Sequence, residues 1–373
     1  MRRTGIIALL ALLLSGCGDE RAPVGGEGVG GLSAALGGDP DPGFARATEI
    51  RPFAFPHDHG AHPAFRNEWW YVTGNLDDGA GRRYGFQLTL FRIGLAPGRA
   101  QRASAWATHQ VWMGHLALTD VAGGRFHAAE RFARGGDLGL AGAARDPVRI
   151  WLEDWRLERG EDGDWQIAAA TDTFALELAL RPQKPPVPQG ERGLSRKSDE
   201  PGNASYYYSL PRLAVDGAIR VAGERRPVRG HAWLDREWST SALGAGQVGW
   251  DWFALQLDDG RDLMVYRLRR RDGATDPHSA GSLIGPDGVK TALDHRDVAI
   301  EVLERWTSPR GTTYPARWRL DAPGLDGPLT VVPVLPDQEL DLSVRYWEGA
   351  VDVLRDGEPV GRGYVELAGY AED

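Results

Sequence analysis

The sequence predicts an all-β protein, built as two antiparallel β domains in tandem. Three observations predict it: a tryptophan-rich hairpin that occurs twice, turn residues recurring between short alternating runs, and no long stretch of 3.6-residue amphipathicity. The first hairpin runs from Trp69-Trp70-Tyr71-Val72 through Leu76 into Asp77-Asp78-Gly79. The second runs from Trp250-Asp251-Trp252-Phe253 through Leu257 into Asp258-Asp259-Gly260. Tryptophans and turns share one offset, 181 residues, a domain length rather than a solenoid period. The absence of βαβ alternation argues against a doubly wound sheet.

Taken in order, the chain opens on an export signal. Arg2 and Arg3 form a basic region, and the apolar run Ile6 to Leu14 is too short to span a bilayer as a helix. It ends in Leu14-Ser15-Gly16-Cys17, small residues before the chain's one cysteine. This resembles a bacterial lipobox, which implies a signal over residues 1–17, cleavage before Cys17 and a lipid-modified mature N-terminus. The resemblance places the protein in the cell envelope, lipid-anchored and facing the periplasm. Gly18 stands where an aspartate favours inner-membrane retention, so the choice of membrane stays open. Residues 18–47, rich in Gly and poor in aromatics, read as a flexible tether.

The folded part divides into residues 48–239 and 240–373, each with its own tryptophan hairpin. Tyr84, Phe86, Leu88 and Leu90 share one strand face, as do Phe174, Leu176, Leu178 and Leu180. His109 and His115 share a face of a strand expected from Trp106 to Leu118, a face read as inward. Between Arg181 and Pro201, the prolines at 182, 185, 186, 188 and 201 predict a long loop or flap.

Composition narrows the partners. With 14 Trp in 373 residues, 42% hydrophobic, the chain can bury large cores. Its net charge of -9 and lack of a Lys/Arg block leave out the footprint of a nucleic-acid binder. Small or apolar partners are expected.

The densest candidate site is Trp233-Leu234-Asp235-Arg236-Glu237-Trp238, followed by Trp250-Asp251-Trp252. Indoles interleaved with carboxyls suggest an apolar cavity with a few fixed polar groups, where Asp235, Glu237 or Asp251 can act as acid or base. The alternative is that the carboxyls pair with Arg236 and other arginines while the tryptophans fill the core. Glu68-Trp69-Trp70-Tyr71 poses the same choice in the first half, since a glutamate entering a buried strand must be paired or neutral. Tyr206-Tyr207-Tyr208 sends phenols to both strand faces, and Tyr208 joins the candidate ligand-binding set. His57-Asp58-His59 with His62 invites a metal reading, but no HExxH or cysteine cluster supports it, and no metal is expected. No Gly-x-Ser-x-Gly elbow, Walker loop or dinucleotide fingerprint occurs, and no cofactor is expected.

The motifs His57-Asp58-His59-Gly60, Glu68-Trp69-Trp70-Tyr71-Val72-Thr73-Gly74, His115-Leu116-Ala117-Leu118-Thr119-Asp120, Trp233 to Ser239 and Gly249 to Phe253 together resemble the AttH-like family. That family is related to carotenoid 1,2-hydratase, also called hydroxyneurosporene synthase. The resemblance implies two lipocalin-like barrels in tandem over residues 48 to 373. It also implies cofactor-free protonation of an isoprenoid double bond inside an aromatic cavity. Trp233, Trp238, Trp250 and Trp252 suit the wall, and Asp235, Glu237 or Asp251 the acid. In the family an Asp-His-x-Trp run is common; here the run is Asp235-Arg236-Glu237-Trp238, and arginine is a poor proton donor. Relatives are often encoded beside membrane transporter components of the ABC type. The expectation is therefore a lipoprotein that binds a hydrophobic, isoprenoid-like molecule, with Arg236 pairing an anionic head group. The alternative is a hydratase. One working pocket is expected at the second hairpin, near the seam of the halves.

Overall fold

The computed structural model describes residues 43–371 apart from 99–103, 105 and 242. The export signal, Cys17 and most of the tether lie outside the described residues. Among the described residues the only helix is one 3-10 turn, His57–His59.

Thirteen strands form the first sheet: β1 (Asn67–Asp78), β2 (Arg83–Gly94), β3 (Gln110–Asp120), β4 (Arg125–Arg134), β5 (Ala141–Arg145), β6 (Val148–Leu152), β7 (Trp155–Arg159), β8 (Trp165–Ala170), β9 (Phe174–Pro182), β10 (Val187–Pro188), β11 (Leu194–Arg196), β12 (Ala204–Val221) and β13 (Glu224–Ser239). They run in the order β4-β3-β2-β1-β13-β12-β9-β8-β7-β6-β5, with β10 and β11 added on β12. A parallel bridge from Gly135 to Ala141 brings the two edges together, so the sheet curls into a near-closed barrel. The second sheet holds β14 (Gln247–Leu257), β15 (Asp262–Arg270), β16 (Ala280–Ile284), β17 (Lys290–Asp294), β18 (Ala299–Thr307), β19 (Thr313–Asp321), β20 (Leu329–Pro333), β21 (Glu339–Asp341), β22 (Arg345–Arg355) and β23 (Glu358–Ala368). Its order is β17-β16-β15-β14-β23-β22-β20-β19-β18, with β21 on β22, and it curls into a half-barrel. In both sheets the first hairpin strand pairs with the sheet's own last strand, β1 with β13 and β14 with β23.

Strand alternation explains where the cores lie. Tyr84, Phe86, Leu88 and Leu90 of β2 and Phe174, Leu176, Leu178 and Leu180 of β9 all point into the first barrel, around Trp70, Trp112, Trp155 and Trp165. The second core gathers Phe253, Leu255, Trp318, Trp347 and Val365. Both interiors are packed with side chains.

The outer faces of the two sheets pack against each other, and a third cluster forms there from Tyr71, Tyr207, Trp233, Trp252, Tyr266 and Tyr364. Polar bonds tie the seam: Asn75 Nδ2 donates to the Gly363 carbonyl at 3.0 Å, and Gln256 Nε2 donates to the Pro211 carbonyl at 2.8 Å. At Gly85 the sheets approach so closely that an added Cβ would stand 2.6 Å from Ala350 Cβ.

Two local expectations change, and the twin turns differ in detail. The face of β3 that carries His115 points away from the first barrel into the seam, and His109 precedes the strand, which begins at Gln110. The proline-rich stretch is a strap across the seam: Lys184 Nζ ion-pairs with buried Asp262 at 2.6 Å and donates to the Gly285 carbonyl at 2.7 Å. The two Asp-Asp-Gly turns also differ in detail, since positive φ falls on Gly81 in the first hairpin (+76°) but on Gly260 in the second (+88°).

Candidate active site

Antiparallel register sorts each motif between two compartments. Opposed residues share a face, so Trp69, Glu237 and Tyr207 align across β1, β13 and β12, as do Tyr71, Asp235 and Ser209. These residues face the seam. One position along, Trp70, Arg236 and Tyr208 align and face the interior of the first barrel. In the second sheet Trp250 and Trp252 face the seam, while Asp251 and Phe253 face inward.

The seam-facing set lines a cleft of about 760 Å³, counting its open mouth. Its walls are Trp69, Tyr71, Phe91, Tyr207, Trp250, Trp252, Tyr266, Leu243 and Leu268, and its polar groups include Asp235, Glu237, Glu366 and Lys197. Both hairpins contribute equivalent positions, Trp69 with Trp250 and Tyr71 with Trp252.

Asp235 is the most constrained polar group. Tyr207 Oη and Ser209 Oγ each donate to its carboxyl at 2.5 Å, and Trp233 Nε1 donates to Oδ1 at 2.6 Å. Burial nevertheless pushes its pKa up to about 7, with the three hydrogen bonds opposing and Glu237 adding to the rise. Glu366 accepts from Trp250 Nε1 at 2.6 Å. Burial pushes it up to about 7 as well, with the Asp235 charge adding to the rise. Both carboxyls therefore keep their protons well above the usual carboxylate range. Glu237, by contrast, pairs with Lys197 Nζ at 3.2 Å, and that ammonium also lies 4.4 Å from the Tyr266 ring centre.

The remaining expected residues lie elsewhere. Glu68, completely buried, ion-pairs with Arg92 and Arg236, and those guanidiniums outweigh burial to hold its carboxyl well below the usual range. Arg236 also donates to the Gly60 carbonyl at 2.6 Å and lies 3.9 Å from the Trp70 ring centre, sealed from the cleft. Trp238 stacks on His62 at 3.8 Å, and Tyr208 Oη bonds His59 Nδ1 at 2.6 Å. The His57-Asp58-His59 segment thus plugs one end of the first barrel, with His62 Nε2 on Asp58 at 3.0 Å. Burial, reinforced by the nearby arginines, depresses His59 to about 3. Among the described residues no three His, Cys, Asp or Glu side chains gather as a metal site. Asp251 is held by Arg267, by Arg269 Nε at 3.0 Å and by Tyr370 Oη at 2.9 Å, inside the second sheet.

The cleft also contains residues the motifs did not single out. Tyr207 follows from its parity opposite Tyr208, and Lys197 is the ammonium-bearing residue of the strap. Glu366 carries no local signal, since only the pairing of Trp252 with Glu366 across β14 and β23 brings it there.

A profile of AttH-like proteins matches residues 46–370. The chain belongs to the AttH-like family. Among solved structures it is similar to an AttH protein from Nitrosomonas europaea, with 38% identity over 88% of this chain and 100% of that one and a TM-score of 0.79. It shares its fold, at 14% identity, with kievitone hydratase from Nectria haematococca, with a TM-score of 0.64 over 89% of this chain and 97% of that one. A search of curated protein sequences found no match. The chain is a pair of lipocalin-like sheets, one a near-barrel and the other a half-barrel.

Proposed function

We propose that this AttH-like protein is a cofactor-free acid–base enzyme that adds water to a double bond of a neutral, apolar small molecule held in the seam cleft. The observation that carries this reading is Asp235: an acid poised near neutrality, in an aromatic cleft, with three donors trained on its carboxyl. Burial favours the protonated acid in the ground state. Once the proton passes to a substrate carbon, the carboxylate left behind is received by Tyr207, Ser209 and Trp233, so the site favours the charge-separated state without reorganising. The faces of Trp69, Trp250 and Trp252 supply the π density that a developing carbocation needs.

Glu366 is the complementary base. Its carboxylate takes a proton from water as the water oxygen bonds to the cationic carbon, and the product gains one hydrogen and one hydroxyl. Arginine in place of the histidine common in the family does not weaken this chemistry, because residue 236 points away from the cleft. The reading is supported by the fold shared with a protein named as a hydratase, kievitone hydratase. The lipobox reading of Leu14 to Cys17 would set the reaction at an envelope membrane, where apolar substrates partition and transporter components can move them.

A second reading is favoured by the breadth of the aromatic lining: a carrier that holds the same ligand unchanged. One experiment separates the two. The protein is incubated with a panel of isoprenoid-like alkenes in isotopically labelled water, and products are read by mass spectrometry. The enzyme reading expects label in the product and a loss of roughly 10²–10⁴-fold in rate for Asp235→Asn. Ligand recovered bound and unlabelled supports the carrier instead.

A further inference from the structure

One end of the cleft carries polar groups that the proposed reaction does not use. Asp235, Glu237 and Ser239 follow one another at two-residue steps along β13, and all three line the cleft. Each step is about 7 Å along a strand. The lining therefore passes from the acid at Asp235 to Glu237, and then to Ser239, Ser241 and Leu243.

Lys197 closes over Glu237 from the strap. Its backbone N–H donates to the Asn203 carbonyl at 2.9 Å, and its own carbonyl accepts from Gln247 Nε2 of β14 at 2.6 Å, so the residue is held in place. Its ammonium ion-pairs with Glu237 Oε1 at 3.2 Å and donates to Ser195 Oγ at 3.2 Å. Burial alone would lower its pKa, but Glu237 and Tyr266 outweigh burial and raise it, so Lys197 is a cation. An ammonium has three N–H bonds, and Glu237 and Ser195 are its two acceptors among the described residues. The third is left for the cleft.

Glu237 is equally incomplete. Lys197 is the one cation that it meets among the described residues, whereas a carboxylate accepts several hydrogen bonds. Ser239 is 1% exposed, and its Oγ has no hydrogen-bond partner. A buried hydroxyl in that state costs stability until a bound group completes it.

We propose that Lys197, Glu237 and Ser239 form a hydroxyl-binding subsite, so that the cleft takes an alcohol, an apolar unsaturated molecule with one neutral hydroxyl. The ligand oxygen accepts from Lys197 Nζ and Ser239 Oγ, and the ligand proton is donated to Glu237. All three protein groups are then satisfied by one hydroxyl. A ketone or an ether accepts from Lys197 but leaves Glu237 without a donor, and a carboxylate meets the Glu237 charge with its own. A hydrocarbon leaves all three groups dry and unpaired. The subsite rests on the seam cleft being the ligand site, and it serves a carrier as well as an enzyme. On the hydration reading the double bond lies at Asp235, about 7 Å from the hydroxyl.

Binding rather than turnover tests the subsite. N-Phenyl-1-naphthylamine bound to the protein is displaced by citronellol, its methyl ether, the corresponding hydrocarbon or citronellate, at about pH 6, where a carboxylic acid is ionised. Wild type is expected to bind citronellol at least about tenfold more tightly than the ether or the hydrocarbon, the fold-change of one hydrogen bond to a charged group. Glu237→Gln keeps the shape but frees the Lys197 charge, and the preference is expected to pass to citronellate by about tenfold. Lys197→Met combined with Glu237→Gln leaves neither charge buried without the other, and selectivity for alcohol and carboxylate is expected to vanish. Equal displacement by all four ligands in wild type overturns the subsite and leaves the cleft reading standing. So does a Glu237→Gln protein that binds the ether as wild type does and still prefers the alcohol to citronellate. If none of the four displaces the dye, the cleft reading and the subsite fall together.

Discussion

Trp233 and Asp235 lie two residues apart on β13, and the indole Nε1 of the first donates to Oδ1 of the second at 2.6 Å, on the face that meets the second sheet. The seam core behind the cleft and the stabilisation of the cleft's acid are therefore one structural unit. Packing of Trp252 against Trp233, ring centres 6.3 Å apart, extends that unit across the seam.

The raised pKa of Asp235 has a pH signature. In the unfolded chain an aspartate ionises near its ordinary value of 3.8, whereas here it retains its proton up to about 7. The folded state therefore binds more protons between these values, and stability falls as pH rises through that window. Asp235→Asn removes this term. The stability of the variant relative to wild type is expected to improve from pH 4 to pH 8 by up to about 4 kcal/mol, at ~1.4 kcal/mol per pKa unit. Urea denaturation across that range checks it, and parallel curves for the two proteins would reject a neutral Asp235.

Glu68 is a keystone of the barrel end rather than a cleft group. Glu68→Gln leaves the charges of Arg92 and Arg236 buried without their counterion, a loss of ~3–5 kcal/mol. Denaturation should show this loss, while protein that remains folded should bind cleft ligands normally. A stability loss under 1 kcal/mol would mean that the arginines find other partners.

Asp251 separates a structural from a catalytic carboxylate. Asp251→Asn loosens Arg267, Arg269 and Tyr370 within the second sheet and is expected to destabilise the protein by ~3 kcal/mol. Turnover per folded molecule should persist. If it falls as far as in Asp235→Asn, Asp251 acts in the reaction after all.

A neutral fluorescent probe such as N-phenyl-1-naphthylamine should enter the cleft and quench tryptophan emission. Trp252→Ala should weaken its binding by about tenfold, or ~1.4 kcal/mol. Trp151→Ala, on β6 outside the cleft, should not. Equal affinities for the two variants would place the probe site elsewhere.

Gly85→Leu tests the seam itself. With only 2.6 Å available between a Cβ there and Ala350, the larger side chain must part the sheets, at about 1–3 kcal/mol. Loss of probe binding with the strand content unchanged, by circular dichroism, is the expected result.

Much of the architecture is local and hence legible. Strand type follows from period-2 alternation, as in Phe174 to Leu180, and the duplication is carried by tryptophans at one offset. The site was legible only as a cluster. Asp235, Glu237, Trp69, Tyr71, Trp250 and Trp252 line the cleft and Trp233 packs behind it on Asp235, but Glu68, Trp70, Arg236, Trp238, Tyr208 and Asp251, drawn from the same motifs, do not reach it.

By itself the sequence determined the strands, their two-fold repetition and the aromatic and acidic residues available to a site, because alternation and turn chemistry act within a few residues. Only the tertiary structure decided which face of each strand meets solvent, core or seam, since both faces are apolar here and alternation cannot rank two buried faces. It alone also brought Glu366 to the cleft that Tyr71 lines. Glu366 and Tyr71 are far apart in the chain, and burial by distant strands is what pushes both of their pKa values up.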